Sequence, residues 1–360
     1  MIKKNLFFLL LLSLWILPTY AGHITGGYIR YDFEGIFSGY YKYQVEIFLY
    51  RDCSPGFGTF ENTIPVGIFT GDTLIATQNV NFTGYEDLTP LPANQCAQVG
   101  RYAGTLVLSP HSTGYLLAYQ RCCRNINVRN IYYPDGSGFT LTASIPPLPN
   151  SAPAFVNKFP SYMVLNQPFT YNLSALDNDA DEIIYELVNP LNGGSQFNPN
   201  PNPPDSPPYT VYPYESPYSL SDIIGGVPVL AYDINAGFMT AQPNHAGIYA
   251  VALSITEKRN GQPLAVYKME FNVTASPTYP VLIIEKENTL FSFYPNPATD
   301  FLHLSFPEST AFEGEIMDIT GKTIVVFTQP EINVHSLKKG IYLLKITTEK
   351  GTEIQKCWKE

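Results

Sequence analysis

The chain has 360 residues, enough for two or three ordinary domains. Aromatic residues make up 14% of it, which excludes a disordered chain, and charged residues another 14%, well under the usual quarter. A formal net charge of -10 without a basic stripe excludes a nucleic-acid footprint, which needs clustered Lys and Arg to displace phosphate counterions.

Lys3 and Lys4 precede an apolar run over 6–17, and Thr19-Tyr20-Ala21 offers small residues before Gly22. This pattern predicts a signal peptide over 1–21, and the run, broken by Pro18, is too short to stay as a bilayer span. Outside the cytoplasm thiols oxidise, so Cys53, Cys96, Cys122 and Cys123 are disulfide candidates within one domain, with a metal site as rival that lacks any His at ligand spacing. Neighbouring cysteines bridge each other poorly, because the linking peptide must distort. Cys53 and Cys96 are therefore each expected to pair with one of Cys122 and Cys123, leaving Cys357 alone in the tail.

The first module is predicted over 22–149. Tyr43, Val45, Ile47 and Leu49 alternate with Gln44, Glu46, Phe48 and Tyr50, the period of a half-buried strand. Strands over 105–108 and 114–120, with a turn at Ser109-Pro110, read as a hairpin or strand pair. A further strand over 139–145 stops at Pro146-Pro147-Leu148-Pro149, because proline cannot donate to a ladder. Arg51, Asp52, Arg121 and Arg124 flank the cysteines and read as a salt-bridged corner. His23-Ile24-Thr25-Gly26-Gly27, Tyr50-Arg51-Asp52-Cys53 and Tyr119-Gln120-Arg121-Cys122-Cys123-Arg124-Asn125 resemble an N-terminal module of large Bacteroidetes surface proteins, many of them gliding-motility-associated or adhesin-like. That resemblance implies a surface location and is nearly silent on biochemistry.

The second module is predicted over 150–276, with strands near 169–172, 183–187, 238–240 and 248–255 and an acidic turn at Asp177-Asn178-Asp179-Ala180-Asp181. This order resembles the cadherin-like, immunoglobulin-like sandwiches of bacterial adhesins. Asp177, Asp179 and Asp181 place carboxylates at alternate positions, so a turn can gather them around one hard cation; calcium is the candidate ion, and no cofactor is required. Ala180 stands where such turns usually have Gly. Asp233, Glu257 and Glu270 are candidate remote ligands. A Pro- and Tyr-rich insertion over 197–218 reads as an exposed loop, and Tyr209, Tyr212, Tyr214 and Tyr218 are its candidate ligand residues, by stacking on sugar or peptide. The alternative is that these rings pack the loop onto its own domain.

A linker over 277–289 leads to the tail, 290–360. The tail carries Pro295-Asn296-Pro297, Asp318-Ile319-Thr320-Gly321, Gly340-Ile341-Tyr342 and a basic end with Lys356 and Lys359. These blocks resemble the C-terminal sorting domain of proteins exported by the type IX secretion system. The resemblance implies a signal for that machinery, a sortase-like peptidase that removes it, and a product that is released or attached to surface lipopolysaccharide.

The expected fold is all-β: two consecutive antiparallel β-sandwich modules and a small sandwich tail. His-Glu-x-x-His, Gly-x-Ser-x-Gly and phosphate-loop motifs do not occur, and no catalytic residue is nominated. The expected function is a secreted or cell-surface, non-enzymatic, adhesin-like interaction protein with a glycan or protein ligand. A carbohydrate-binding or hydrolytic accessory factor, and a structural spacer of a surface assembly, are the alternatives.

Overall fold

A computed structural model of the chain describes residues 24–55, 58–89, 91–92, 95–277, 291–306, 311–318, 321–349 and 351–360. The expected signal peptide and all of the expected linker except Pro277 lie outside the described residues. The chain divides into two units, Met1–Leu282 and Ile283–Glu360. The described residues are β-strand and loop, with one 3-10 turn at Pro134–Gly136. No described helix is long and apolar enough to cross a membrane.

The strands of the first unit are β1 Ile24–Phe37, β2 Tyr40–Asp52, β3 Thr63–Thr70, β4 Thr73–Asp87, β5 Ala97–Leu108, β6 Tyr115–Arg121, β7 Phe139–Ile145 and β8 Ala154–Phe155. They continue as β9 Tyr162–Val164, β10 Phe169–Asn172, β11 Ala175–Leu176, β12 Glu182–Val188, β13 Ala231–Tyr232, β14 Phe238–Ala241, β15 Gly247–Arg259 and β16 Gln262–Ser276. The alternation read in β2 holds: Tyr43, Val45, Ile47 and Leu49 are all buried. Each such aliphatic side chain contributes about 1.5–3 kcal/mol of transfer free energy.

An 11-stranded sheet runs β1-β2-β5-β4-β3-β6-β7-β16-β15-β12, with β9 as the eleventh strand, paired to β16 off this path. Strands 97–108 and 115–121 do form, but they are not partners. The β3–β4 hairpin lies between them, turning at Gly71, whose φ of 57° suits a residue without a Cβ.

Strand β16 carries the largest correction to the expected modules. Along one edge it pairs with β15 over nearly its whole length. Along the opposite edge it takes three partners in succession: β7 at Tyr267 and Lys268, β1 at Glu270, and β9 at Thr274 to Ser276. The β1 contact is close because Gly26 and Gly27 present no side chain; a Cβ at Gly26 would meet the Glu270 carbonyl oxygen. A strand of the second expected module thus joins the first strand of the chain to the seventh. The core is continuous as well, with Tyr31, Leu141, Leu253 and Phe271 in one buried cluster. Residues 24–277 form one unit because β16 must have all of these neighbours to satisfy its backbone.

The second unit contains β17 Ser292–Tyr294, β18 Phe301–Ser305, β19 Phe312–Met317, β20 Thr323–Phe327, β21 Glu331–Asn333, β22 Gly340–Thr348 and β23 Gly351–Lys359. They make a sheet β17-β18-β21 and a sheet β20-β19-β22-β23. Leu302, Leu304 and Ile332 from the first pack with Ile316, Leu344 and Ile346 from the second. This unit has a core of its own.

Candidate functional site

In the tail, the separate sequence blocks converge on the last strand. Asn296 Oδ1 accepts a hydrogen bond from the Trp358 amide at 2.8 Å. The Ala298 amide donates to Trp358 O at 2.6 Å, and the Glu360 amide donates to Ala298 O at 2.9 Å. Asn296 lies between exposed Pro295 and Pro297, and it is its side-chain oxygen that accepts from the last strand. Strand β23, with Lys356 exposed upon it, pairs along its other edge with the Gly340-Ile341-Tyr342 strand, placing Tyr342 opposite Cys357. The Tyr342 hydroxyl donates to Lys338 O at 2.8 Å. Burial holds the Cys357 thiol above its ordinary pKa. Asp318 and Gly321 form a turn at the end of β19, whose Met317 lies opposite Leu343: the Gly321 amide donates to Asp318 O, and Asp318 Oδ1 accepts from the Lys322 amide.

The disulfides of the first unit differ from the expected pairing. Cys53 bonds Cys96, with Cα atoms 5.0 Å apart, and Cys122 bonds Cys123. Topology accounts for this. Strands β2 and β5 are neighbours with Asp52 opposite Ala97, so Cys53 and Cys96 meet at their ends. Cys122 follows β6, which the β3–β4 hairpin separates from β5. The flanking charges position loops. Arg121 grips Glu61 through Nη1 at 2.7 and 2.8 Å, and Asp52 Oδ1 accepts from the Ser54 amide. Arg124 forks onto Glu270 at 2.6 and 2.8 Å, with both side chains buried.

The Pro- and Tyr-rich insertion lies down on its own unit. The Cys122 amide donates to Pro199 O, and the Asp205 amide to Gln120 Oε1. The Tyr212 ring faces the Arg124 guanidinium, and its hydroxyl donates to Tyr132 O. Tyr214 is buried and accepts from the Ala252 amide. Tyr218 packs edge-on against Tyr249, and Tyr209 is half-buried. Tyrosines nominated as ligand residues thus serve as anchors. Exposed rings stand elsewhere: Tyr132, Tyr133 and Phe197, the last 99% exposed, with Tyr133 Oη 3.4 Å from Gln196 Oε1. The Tyr132-Tyr133 pair, beside a turn at Pro134-Asp135-Gly136, was the sequence signal for them.

The acidic turn joins β11 to β12. Asp177 Oδ1 accepts from the amides of Asp179 and Asp181, and Ala180 adopts φ 62° where Gly is usual. Asp179 is committed elsewhere, accepting the Ser151 amide at 2.7 Å. Asp181, its side chain 3% exposed, receives a fork from Arg259 at 2.8 and 2.7 Å. Glu257, from β15, comes to this turn: one ligating oxygen from each of Asp177, Asp181 and Glu257 lies within 4.8 Å of the other two. Asp233 and Glu270 do not join it. Asp233 caps the Asn235 and Ala236 amides, and Glu270 holds Arg124. Glu257 is wholly buried, and its Oε2 accepts from Asn150 Nδ2 at 2.9 Å and Tyr267 Oη at 2.7 Å. Desolvation, followed by the facing Asp177 carboxylate, pushes its pKa up to about 9.

Residues 292–360 match the family described as "Secretion system C-terminal sorting domain". The match marks the protein as secreted or displayed at the cell surface and implies contact with type IX secretion machinery. No curated protein matches the chain. Among solved structures, it is similar to the one titled "Structural basis for Dscam isoform specificity", at 10% identity over 96% of this chain and 73% of that chain, with a TM-score of 0.16. It is also similar to the N-terminal four Ig domains of Dscam1 isoform 6.44, at 8% identity over 93% and 91% of the chains, with a TM-score of 0.17. Likenesses with TM-scores this low carry no argument here.

Proposed function

We propose that the protein is a non-enzymatic, adhesin-like interaction protein, carried through the outer membrane by its C-terminal unit and shed of that unit by a sortase-like peptidase. In this reading residues 24–277 act at the cell surface or in the medium, among the company of gliding-motility-associated surface proteins, and lipopolysaccharide is the anchor where the product is retained. The observation that carries the reading is the sorting-domain match over 292–360. The contact between Asn296 and the last strand gives it a physical basis, since a reader of the folded tail meets both blocks together. Truncation after Asn288 in the native host, followed by fractionation and mass spectrometry, tests it. The truncated chain is expected to accumulate in the periplasm, and the full chain outside the cell without its tail. Surface display of the truncation would overturn the assignment.

A second reading, carbohydrate binding, rests on the exposed rings of Tyr132, Tyr133 and Phe197 rather than on the insertion tyrosines. Stacking on sugar rings requires exposed π-faces. On a glycan array the Tyr132→Ala, Tyr133→Ala, Phe197→Ala variant is expected to lose retention that Tyr214→Ala keeps. No retention of the native chain on any glycan would remove this reading.

A further inference from the structure

We propose that Asp177, Asp181 and Glu257 bind a divalent hard cation, calcium by its ligand chemistry, at the corner where β12 and β15 meet. The argument starts from two oxygen atoms. Asp177 uses Oδ1 for its turn and Glu257 uses Oε2 for Asn150 and Tyr267, whereas Asp177 Oδ2 and Glu257 Oε1 are buried without a hydrogen-bond donor. A wholly buried carboxylate with one bare oxygen is costly, and a second bare carboxylate oxygen beside it adds repulsion. Both acceptors call for a donor or a cation, and a proton, a water or a metal ion are the candidates.

Charge and geometry favour the cation. Asp177, Asp179, Asp181 and Glu257 gather with Arg259 as the one basic side chain that hydrogen-bonds any of them among the described residues. Arg259 also gives Nη2 to Asn150 Oδ1 at 2.7 Å, so its fork is fully used. Each carboxylate oxygen has two lone pairs, and Asp181 can keep Arg259 while offering a second direction. Calcium–oxygen distances of about 2.4 Å put ligands on opposite sides of the ion roughly 5 Å apart, which accommodates the observed 4.8 Å limit. A cleft of about 460 Å³, lined in part by Asp177, Asp181, Asn235 and Ala236, reaches the turn and admits the waters that complete the six to eight oxygens of such an ion. Magnesium, which demands near-octahedral geometry and sheds water reluctantly, suits this carboxylate-rich corner less well.

Calorimetry on the full-length protein, stripped with EDTA and titrated with CaCl2, tests the proposal. One calcium per chain is expected, with the first unit's Tm raised by roughly 5–10 °C at calcium a hundredfold above Kd. Asp177→Asn and Glu257→Gln are expected to weaken binding at least tenfold. Glu257→Gln separates lost ligation from lost folding: the carboxamide keeps an acceptor for Asn150 and Tyr267 and gives Asp177 Oδ2 a donor. In EDTA it should melt at or above the native chain. Absence of saturable binding by the native chain would overturn the proposal and leave a proton shared between Asp177 and Glu257. Binding that both variants retain would place the ion elsewhere and overturn it equally.

Discussion

Arg124 is where the two expected modules become one. It follows the adjacent cysteines in the first half of the unit, and its buried fork grips Glu270 on β16. Its remaining donors reach Ser137 Oγ, Gly138 O and Leu191 O, while the Tyr212 ring covers the guanidinium. A buried pair of this kind costs desolvation of both ions, so its presence alone adds little net stability; removing one member strands the other in a dry site. Arg124→Ala is expected to cost about 3–5 kcal/mol, read as a lower urea midpoint with unchanged slope. Replacing both members by Met and Leu should restore much of the loss. A single substitution that leaves the midpoint unmoved would show that Glu270 finds solvent. The sequence pointed to Arg124 as part of a salt-bridged corner beside the cysteines. Its partner was beyond reach, because no local pattern names a carboxylate so far along the chain.

Among the elements, the strands near 43–50, 139–145 and 248–255 were legible, β1, β3, β4 and β16 went unread, and strand partnership was not legible. The run at 139–145 coincides with β7, and the β2 face is the one its alternation predicts, because side-chain period is a local property. Partnership depends on long-range register, and β16 illustrates the limit. Its own alternation is plain, yet nothing in Tyr267, Glu270 or Thr274 announces that one edge will serve β7, β1 and β9 in turn. The disulfide pairing failed for the same reason: it depended on which strands are neighbours. In the acidic corner, spacing marked Asp177 and Asp181. Asp179, equally well spaced, turns to Ser151, and Glu257 takes its place from another strand. The insertion tyrosines looked outward because prolines surround them. In the fold the loop lies on its own unit: Tyr212 covers Arg124 and donates to Tyr132 O, and Tyr214 accepts from the Ala252 amide.

At the scale of the molecule, closure by β16 determines which piece of the chain can fold. A fragment of 22–149 would keep β1 to β7 but lose the strand that joins β1 to β7, exposing the apolar faces of Tyr31, Leu141 and Phe139. Tyr31 would also lose the Tyr267 hydroxyl 2.9 Å away, and with it the buried polar chain through Glu257 and Asn150 to Arg259. Unpaired strand edges and bare apolar surface favour aggregation over a cooperative fold. The fragment 22–149 is therefore expected to bind ANS and melt without a sigmoidal transition, whereas 22–277 should unfold in one cooperative step. Residues 290–360, which carry the separate core of Leu302, Ile316 and Leu344, should fold alone. Circular dichroism melts of the three fragments decide between one closed unit and two independent modules: a cooperative melt of 22–149 near the Tm of 22–277 would mean that β16 docks on an already complete sandwich.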